Sequence, residues 1–130
     1  MNMAAAPKTR PKYYDLNLAR LWPPALLSIF HRMSGALLFF PILPALLYVL
    51  DVTLGSSEGY ARWHDFFSHP LVKLILLGVV WLYAHHFFAG IRYLFLDLHI
   101  GIAKAPARAS ALAVFALGLV ATALIGWRLW

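Results

Sequence analysis

A chain of 130 residues is long enough for one domain, and 62% of its residues are hydrophobic while only 12% are charged. Soluble domains carry about 25% charged residues, so a chain this poor in charge is expected to sit in lipid. It has no cysteine, which excludes a disulfide framework, a thiolate zinc site, an iron–sulfur cluster and haem attached through cysteine.

The net charge of +6 does not point to nucleic acid. The basic residues are scattered between apolar runs and form no stripe with interleaved aromatics. They lie beside the apolar segments, where a membrane protein places them to fix its orientation. No nucleic-acid partner is expected; the bilayer is.

Residues 1–24 are read as a cytoplasmic N-terminal segment and 25–130 as a transmembrane domain. Met1 to Pro24 is basic, with neither an apolar core nor a small-residue cleavage pattern, so no cleavable targeting signal is expected. The first span runs over about Ala25–Leu50, the second over about Leu71–Leu96 and the third over about Ala109–Leu129. Each meets the length of roughly 20 residues that a hydrocarbon core requires. Pro41 and Pro44 fall inside the first span and predict a kink there. Gly55-Ser56-Ser57-Glu58-Gly59 ends it, and Tyr60–Phe67 mixes aromatics with charges, as a short helix on the membrane surface would. His69-Pro70 opens the second span and Lys104-Ala105-Pro106 precedes the third.

Lys8, Arg10, Lys12 and Arg20 precede the first span, and Lys104 and Arg108 stand between the second and third. The intervening connection has Arg62 alone, with Asp51, Glu58 and Asp65. The positive-inside rule then puts the N-terminus and the second connection in the cytoplasm, or in the matrix of a mitochondrion. Trp130 falls on the opposite side. Trp22, Trp63, Trp127 and Trp130 mark span ends, as interfacial aromatics do.

Ionisable groups inside a span are costly, and each is a functional hypothesis. The first span carries Ser28, His31, Arg32 and Ser34; the second carries His85, His86 and Arg92. Lys73 and Arg128 lie near span ends, where they reach water. At about 1.5 Å per residue, Arg32 and Arg92 lie at similar depth in one leaflet, with His86 roughly 9 Å deeper than Arg92. His86, Gly90, Tyr93 and Asp97 share one stripe, and Ser28, Arg32 and Gly35 share another. A histidine with a glycine one turn away leaves room for a flat ligand against the backbone. His85 points about 100° away. By this count His31 stands well above the level of His86, a position suited to a haem propionate rather than to the iron. A low-spin haem on His86 would then draw its second ligand from another chain, since the third span has no histidine.

Plainer readings stand beside these. A histidine in a membrane helix is more often a helix–helix hydrogen bonder than a metal ligand, and Ser28, Ser34 and Gly35 suit close helix packing. Arg32 and Arg92 suit interfacial arginines equally well.

Two strings carry a resemblance. Ser28-Ile29-Phe30-His31-Arg32-Met33-Ser34-Gly35 resembles the S-I-x-H-R-x-S-G signature of the large cytochrome b anchor subunit of succinate dehydrogenase (complex II). His86-Phe87-Phe88-Ala89-Gly90-Ile91-Arg92-Tyr93, followed by Asp97, is similar to that family's H-x-x-x-G-I-R-H-x-x-x-D signature. Arg10-Pro11 with Asp15-Leu16 is similar to its N-terminal segment. The resemblance implies an all-α membrane protein of three transmembrane helices in a hetero-oligomeric bundle. It implies a non-catalytic subunit that binds haem b together with a small anchor subunit. Electrons from succinate oxidation would pass to ubiquinone at a site to which it contributes. The partners it implies are a flavoprotein, an iron–sulfur protein and the small anchor, in a bacterial inner membrane; a mitochondrial inner membrane is the weaker alternative.

Residue by residue, the resemblance makes His86 the axial ligand of the haem iron, opposite a ligand from the small anchor. Ser28 and Arg32, with Ile29 beside them, match the quinone pocket. His31, Arg32, Gly90, Arg92 and Tyr93 match contacts to the haem and its propionates. Tyr93 departs from the pattern, which often has histidine there, and tyrosine brings a hydrogen bond without charge. His85 leaves a second candidate beside His86. The rival readings are a fumarate reductase anchor using menaquinone and a membrane scaffold without cofactor. A proton channel is disfavoured, since no chain of acidic groups crosses the mid-plane.

Overall fold

The computed structural model describes residues 21–130. The basic N-terminal residues Lys8, Arg10, Lys12 and Arg20, and the Arg10-Pro11 and Asp15-Leu16 pairs, lie outside the described residues. Helix α1 is Pro23–Leu37, α2 is Leu43–Gly55, α3 is Ser57–Ser68, α4 is Pro70–Asp97 and α5 is Lys104–Leu129. A π-helical turn, Leu38–Ile42, joins α1 to α2 without a break. Three helical stretches are long and apolar enough to cross a membrane: Pro23–Gly55, Pro70–Asp97 and Lys104–Leu129. The chain is an all-helical, multi-pass membrane protein.

All three helices outrun their apolar runs. The first span is 33 residues long, roughly 50 Å at the helical rise and well beyond a 30 Å hydrocarbon core. Hydrophobicity decides what enters lipid, but capping decides where a helix ends. Thr53 sits in the last turn with its hydroxyl donating to Val49 O at 2.8 Å, so the helix continues past Asp51 until Gly55 and Ser56 stop it. Pro106 falls in the first turn of α5, where the amide hydrogens have no intrahelical partner and a proline removes nothing.

Pro41 lies inside the π-helical turn. Widening the helix by one residue there accommodates a ring that an α-helix would clash with. The consequence is tertiary. Upstream of the turn, α1 packs against both α4 and α5; downstream, α2 packs against α3 instead.

The Tyr60–Phe67 segment is part of α3, capped by Ser56, whose Oγ accepts from Gly59 N at 3.0 Å. A Cβ on Gly59 would collide with the Val52 carbonyl, so glycine lets α3 fold back tightly on α2. Trp63 then meets Tyr48 edge to face, with ring centroids 6.2 Å apart.

Helices α4 and α5 form the tightest pair. Ala107, Ala111, Val114 and Gly118 are the buried residues of α5, spaced along one stripe of small side chains that lets the backbones approach. Leu27, Ala89, Ala111 and Val114 form the apolar centre, flanked by Phe88, Tyr93 and Phe115. Lys73 does more than reach water. Its Nζ donates to Leu129 O at 3.0 Å and lies 5.4 Å from the Trp130 ring, a cation at the negative end of α5. At the other end of α4, His99 N donates to Leu96 O at 2.9 Å and Ile100 N to Phe95 O at 3.0 Å. These two bonds close a Schellman cap, with His99 at φ 61° in the left-handed position that glycine usually fills.

Candidate functional site: the groove between the first and second spans

The polar residues of α4 divide between two faces. His85 and Arg92 turn toward α5, whereas His86, Gly90 and Tyr93 turn toward the groove beside α1. The division follows from helical geometry, since His85 and His86 are separated by about 100° around the axis.

On the α5 side, Arg92 is buried. Its Nε donates to Ser110 Oγ at 2.9 Å and one terminal nitrogen donates to Ala107 O at 3.2 Å. Ser110 Oγ also donates to Ala107 O at 3.2 Å, so the guanidinium ties α4 to the first turns of α5. Arg92 stands apart from His86 and is brought near only one of its companions in the sequence reading, Tyr93, whose ring centroid is 5.6 Å away. His85 is fully buried in an aromatic box of Phe30, Trp81 and Phe115, with ring centroids 6.0, 5.3 and 5.1 Å away. Among the described residues, neither of its ring nitrogens has a hydrogen-bond partner, nor does Trp81 Nε1.

On the groove side, His86 lies flat against α1. Its ring stacks on that of His31 at a centroid distance of 4.3 Å and an interplanar angle of 14°. The expectation that His31 stands well above His86 is therefore corrected. The backbone offset is about one helical turn, and the two side chains close it. His86 Nδ1 lies 3.2 Å from Ser34 Oγ and 3.2 Å from the His31 carbonyl oxygen. Gly35 completes the seat, because a Cβ there would come within 2.9 Å of His86 Cε1. Tyr93 packs on the other side of His31 at 5.0 Å between centroids. Gly90 lies beside it, with His31 Nε2 at 3.9 Å from the place a Cβ would occupy.

Below this cluster the first span diverges at its π-helical turn and leaves a cavity of about 420 Å³, open to one side. Gly35, Phe39, Leu43, Tyr83, His86 and Phe87 are among its lining residues; His86 is its one ionisable side chain besides Tyr83. Ser28 and Arg32 lie on the α1 surface near the other end. Arg32 is exposed, and its Nε donates to Ser28 O at 3.3 Å, which holds the guanidinium along the Ser28 turn. Ile29 is half-buried beside them.

The structure thus gathers His31, His86, Gly90 and Tyr93, keeps Ser28, Ile29 and Arg32 one turn away on the same helix, and sends Arg92 to the opposite face of α4. Ser34 and Gly35, suited by sequence to close helix packing, are the α1 residues that meet the His86 ring. The available signal was their adjacency, a small hydroxyl and a missing side chain one turn below His31.

A bundle of three spanning helices with stacked imidazoles facing an open apolar groove defines a multi-pass membrane subunit built to share a site with another component. The sequence matches the succinate dehydrogenase/fumarate reductase transmembrane subunit family over residues 6–125, and the chain belongs to that family. It is 34% identical over 122 residues to the succinate dehydrogenase cytochrome b556 subunit of Coxiella burnetii, covering 93% of this chain and 97% of that relative. It is also 32% identical over 92 residues to the protein of the same name from Rickettsia felis, covering 71% and 70% of the two chains. Family membership associates the chain with the other subunits of such a complex.

Proposed function

We propose that this chain is the large anchor of a succinate dehydrogenase, holding haem b jointly with a small anchor subunit and contributing to a ubiquinone-reduction site. The observation that carries the reading is the placement of His86, seated against the bare backbone of Gly35 at the head of an open-sided apolar cavity. Among the described residues, no group of three or more histidine, aspartate or glutamate side chains could hold a metal ion. A single imidazole suits axial coordination of a metal whose equatorial ligands come with the cofactor. The side chains present therefore fit haem better than a protein-chelated ion. The name of both relatives as cytochrome b556 subunits supports the same choice.

His86 would bind the iron, and His31 and Tyr93 would contact the edge of the group. Haem bound there supplies a one-electron centre. No lining residue of the cavity comes from α5, and a helix of the small anchor would supply the second ligand and close the site. On the α1 surface, the Ser28 hydroxyl and the guanidinium of the exposed Arg32 donate hydrogen bonds to a quinone carbonyl, whose oxygen gains negative charge as it is reduced. Burial beneath the iron–sulfur subunit strengthens both interactions. Ser28 would also relay a proton to that oxygen, taking one back from water at the membrane face, whereas Arg32 stays charged throughout. The succinate chemistry belongs to the flavoprotein and iron–sulfur partners. The membrane is the bacterial inner membrane, with α1 starting and α4 ending on the cytoplasmic side, near Lys104 and Arg108.

The quinone assignment is tested in the intact complex with Ser28→Ala and Arg32→Ala. Electron transfer from succinate to ubiquinone falls by on the order of tenfold or more, while succinate oxidation by a soluble dye that accepts electrons upstream is unchanged. Undiminished quinone reduction in both variants sinks the assignment. A fumarate reductase using menaquinone shares this architecture, and a faster reverse reaction with a low-potential quinol identifies it.

A further inference from the structure

We infer that Ser34 is a positioning residue that fixes His86 in the tautomer with its proton on Nδ1 and tunes the electron donation of Nε2 to the haem iron. This rests on the haem reading above and deepens it.

Three polar groups meet at one point: the His31 carbonyl oxygen, Ser34 Oγ and His86 Nδ1. Ser34 Oγ lies 3.0 Å from His31 O, as a donor to the carbonyl one turn back. A hydroxyl has one hydrogen, and this bond uses it. Toward His86 Nδ1, at 3.2 Å, the hydroxyl then has only lone pairs to offer. The His31 carbonyl, also 3.2 Å from Nδ1, is an acceptor by nature. Both neighbours of Nδ1 are acceptors, so Nδ1 carries the hydrogen and divides it between them. The second nitrogen, Nε2, keeps its lone pair for a metal.

The opposite tautomer leaves Nδ1 facing the carbonyl lone pairs with none of its own hydrogen to share. It would have to take the serine hydrogen away from the carbonyl, and two of the three bonds would be lost. Ser34 is 1% exposed, so no water replaces them. An imidazole whose N–H is hydrogen-bonded is a stronger donor through its other nitrogen, and a partner of this kind also fixes the ring orientation. Stronger donation favours the oxidised iron. Removing the hydroxyl therefore raises the midpoint potential. The remaining bond to the His31 carbonyl limits the change to part of the whole effect.

The sequence string around Ser34 has its own logic in these terms. His31 supplies the carbonyl, Ser34 the second acceptor and Gly35 the space for the ring, all within two turns of α1. A structural serine that only packs helices would leave the electronics of the ligand untouched.

The test is Ser34→Ala in the purified complex, read by redox titration of the haem and by the low-temperature electron paramagnetic resonance of its oxidised form. The expected result is haem retained, its midpoint potential shifted upward and its largest g value displaced, with Ser34→Thr restoring wild-type behaviour through its hydroxyl. If the alanine variant does not assemble, Ser34→Cys takes its place, since a thiol of similar volume keeps the packing but is a weak acceptor; it is expected to give the same upward shift. A wild-type potential and spectrum in the alanine or cysteine variant overturns the role of Ser34 and leaves the haem reading standing. A wild-type complex without a haem band overturns the haem reading, and the role of Ser34 with it.

Discussion

Replacing Gly35 with alanine separates the seat of His86 from the stability of the helix that provides it. An added Cβ would lie 2.9 Å from His86 Cε1 and 3.4 Å from Nδ1, whereas carbon atoms settle at about 3.5–4.0 Å. The ring must recede from α1 by roughly 0.5 Å. Both bonds to Nδ1 are already 3.2 Å long, and receding takes them to about 3.7 Å, beyond hydrogen-bonding range. Each such bond is worth about 1 kcal/mol net. Alanine returns about 1 kcal/mol through its higher helix propensity, so the variant is expected to fold and assemble in nearly normal yield. Ligand geometry suffers instead, because binding sites tolerate displacements of only about 0.5 Å. The assay is haem per assembled complex, measured from the absorption of the reduced protein after purification. Gly35→Ala is expected to show reduced haem content or a displaced band at unchanged subunit stoichiometry. Full haem content with an unaltered band and potential would refute the seating of His86 against Gly35.

His85→Phe is expected to leave the haem band in place and raise the thermal stability of the complex. It removes two buried nitrogens without partners, each costing about 1–3 kcal/mol, from a box that is otherwise aromatic; loss of the band would instead make His85 the ligand. Arg92→Ala is expected to lower stability by about 1–2 kcal/mol through the lost α4–α5 clamp, seen as a lower unfolding temperature in detergent with the haem potential unmoved. A shifted potential at unchanged stability would return Arg92 to the cofactor.

Much of the architecture is legible in the sequence because lipid imposes it. Apolar runs of sufficient length have to be helices, since no water satisfies an exposed backbone in the bilayer. The bounds were harder, because Thr53 and Pro106 obey capping rules that hydropathy does not contain. The faces of α4 were half legible. Periodicity sets His86, Gly90 and Tyr93 on one stripe, and the structure keeps them together against His31. Arg92 lies six residues from His86, about 120° off that stripe after full turns, and depth alone grouped it with Arg32. Depth also misled for His31 and His86, because counting residues along an axis ignores side-chain reach. Pro41 and Pro44 predict a kink in the first span, but the π-helical turn at Leu38–Ile42 and its parting of α2 from α4 depend on tertiary packing. Ser34 acquires its role only once α4 is laid beside α1.

The central claim is that this chain carries an axial haem ligand at His86. The direct measurement is a reduced-minus-oxidised absorption spectrum of the complex purified through this chain, wild type beside His86→Ala at matched subunit content. With His86 as the ligand, a haem b band is expected in the wild type and is lost or displaced in the variant. A band of the same position and height in both would contradict it.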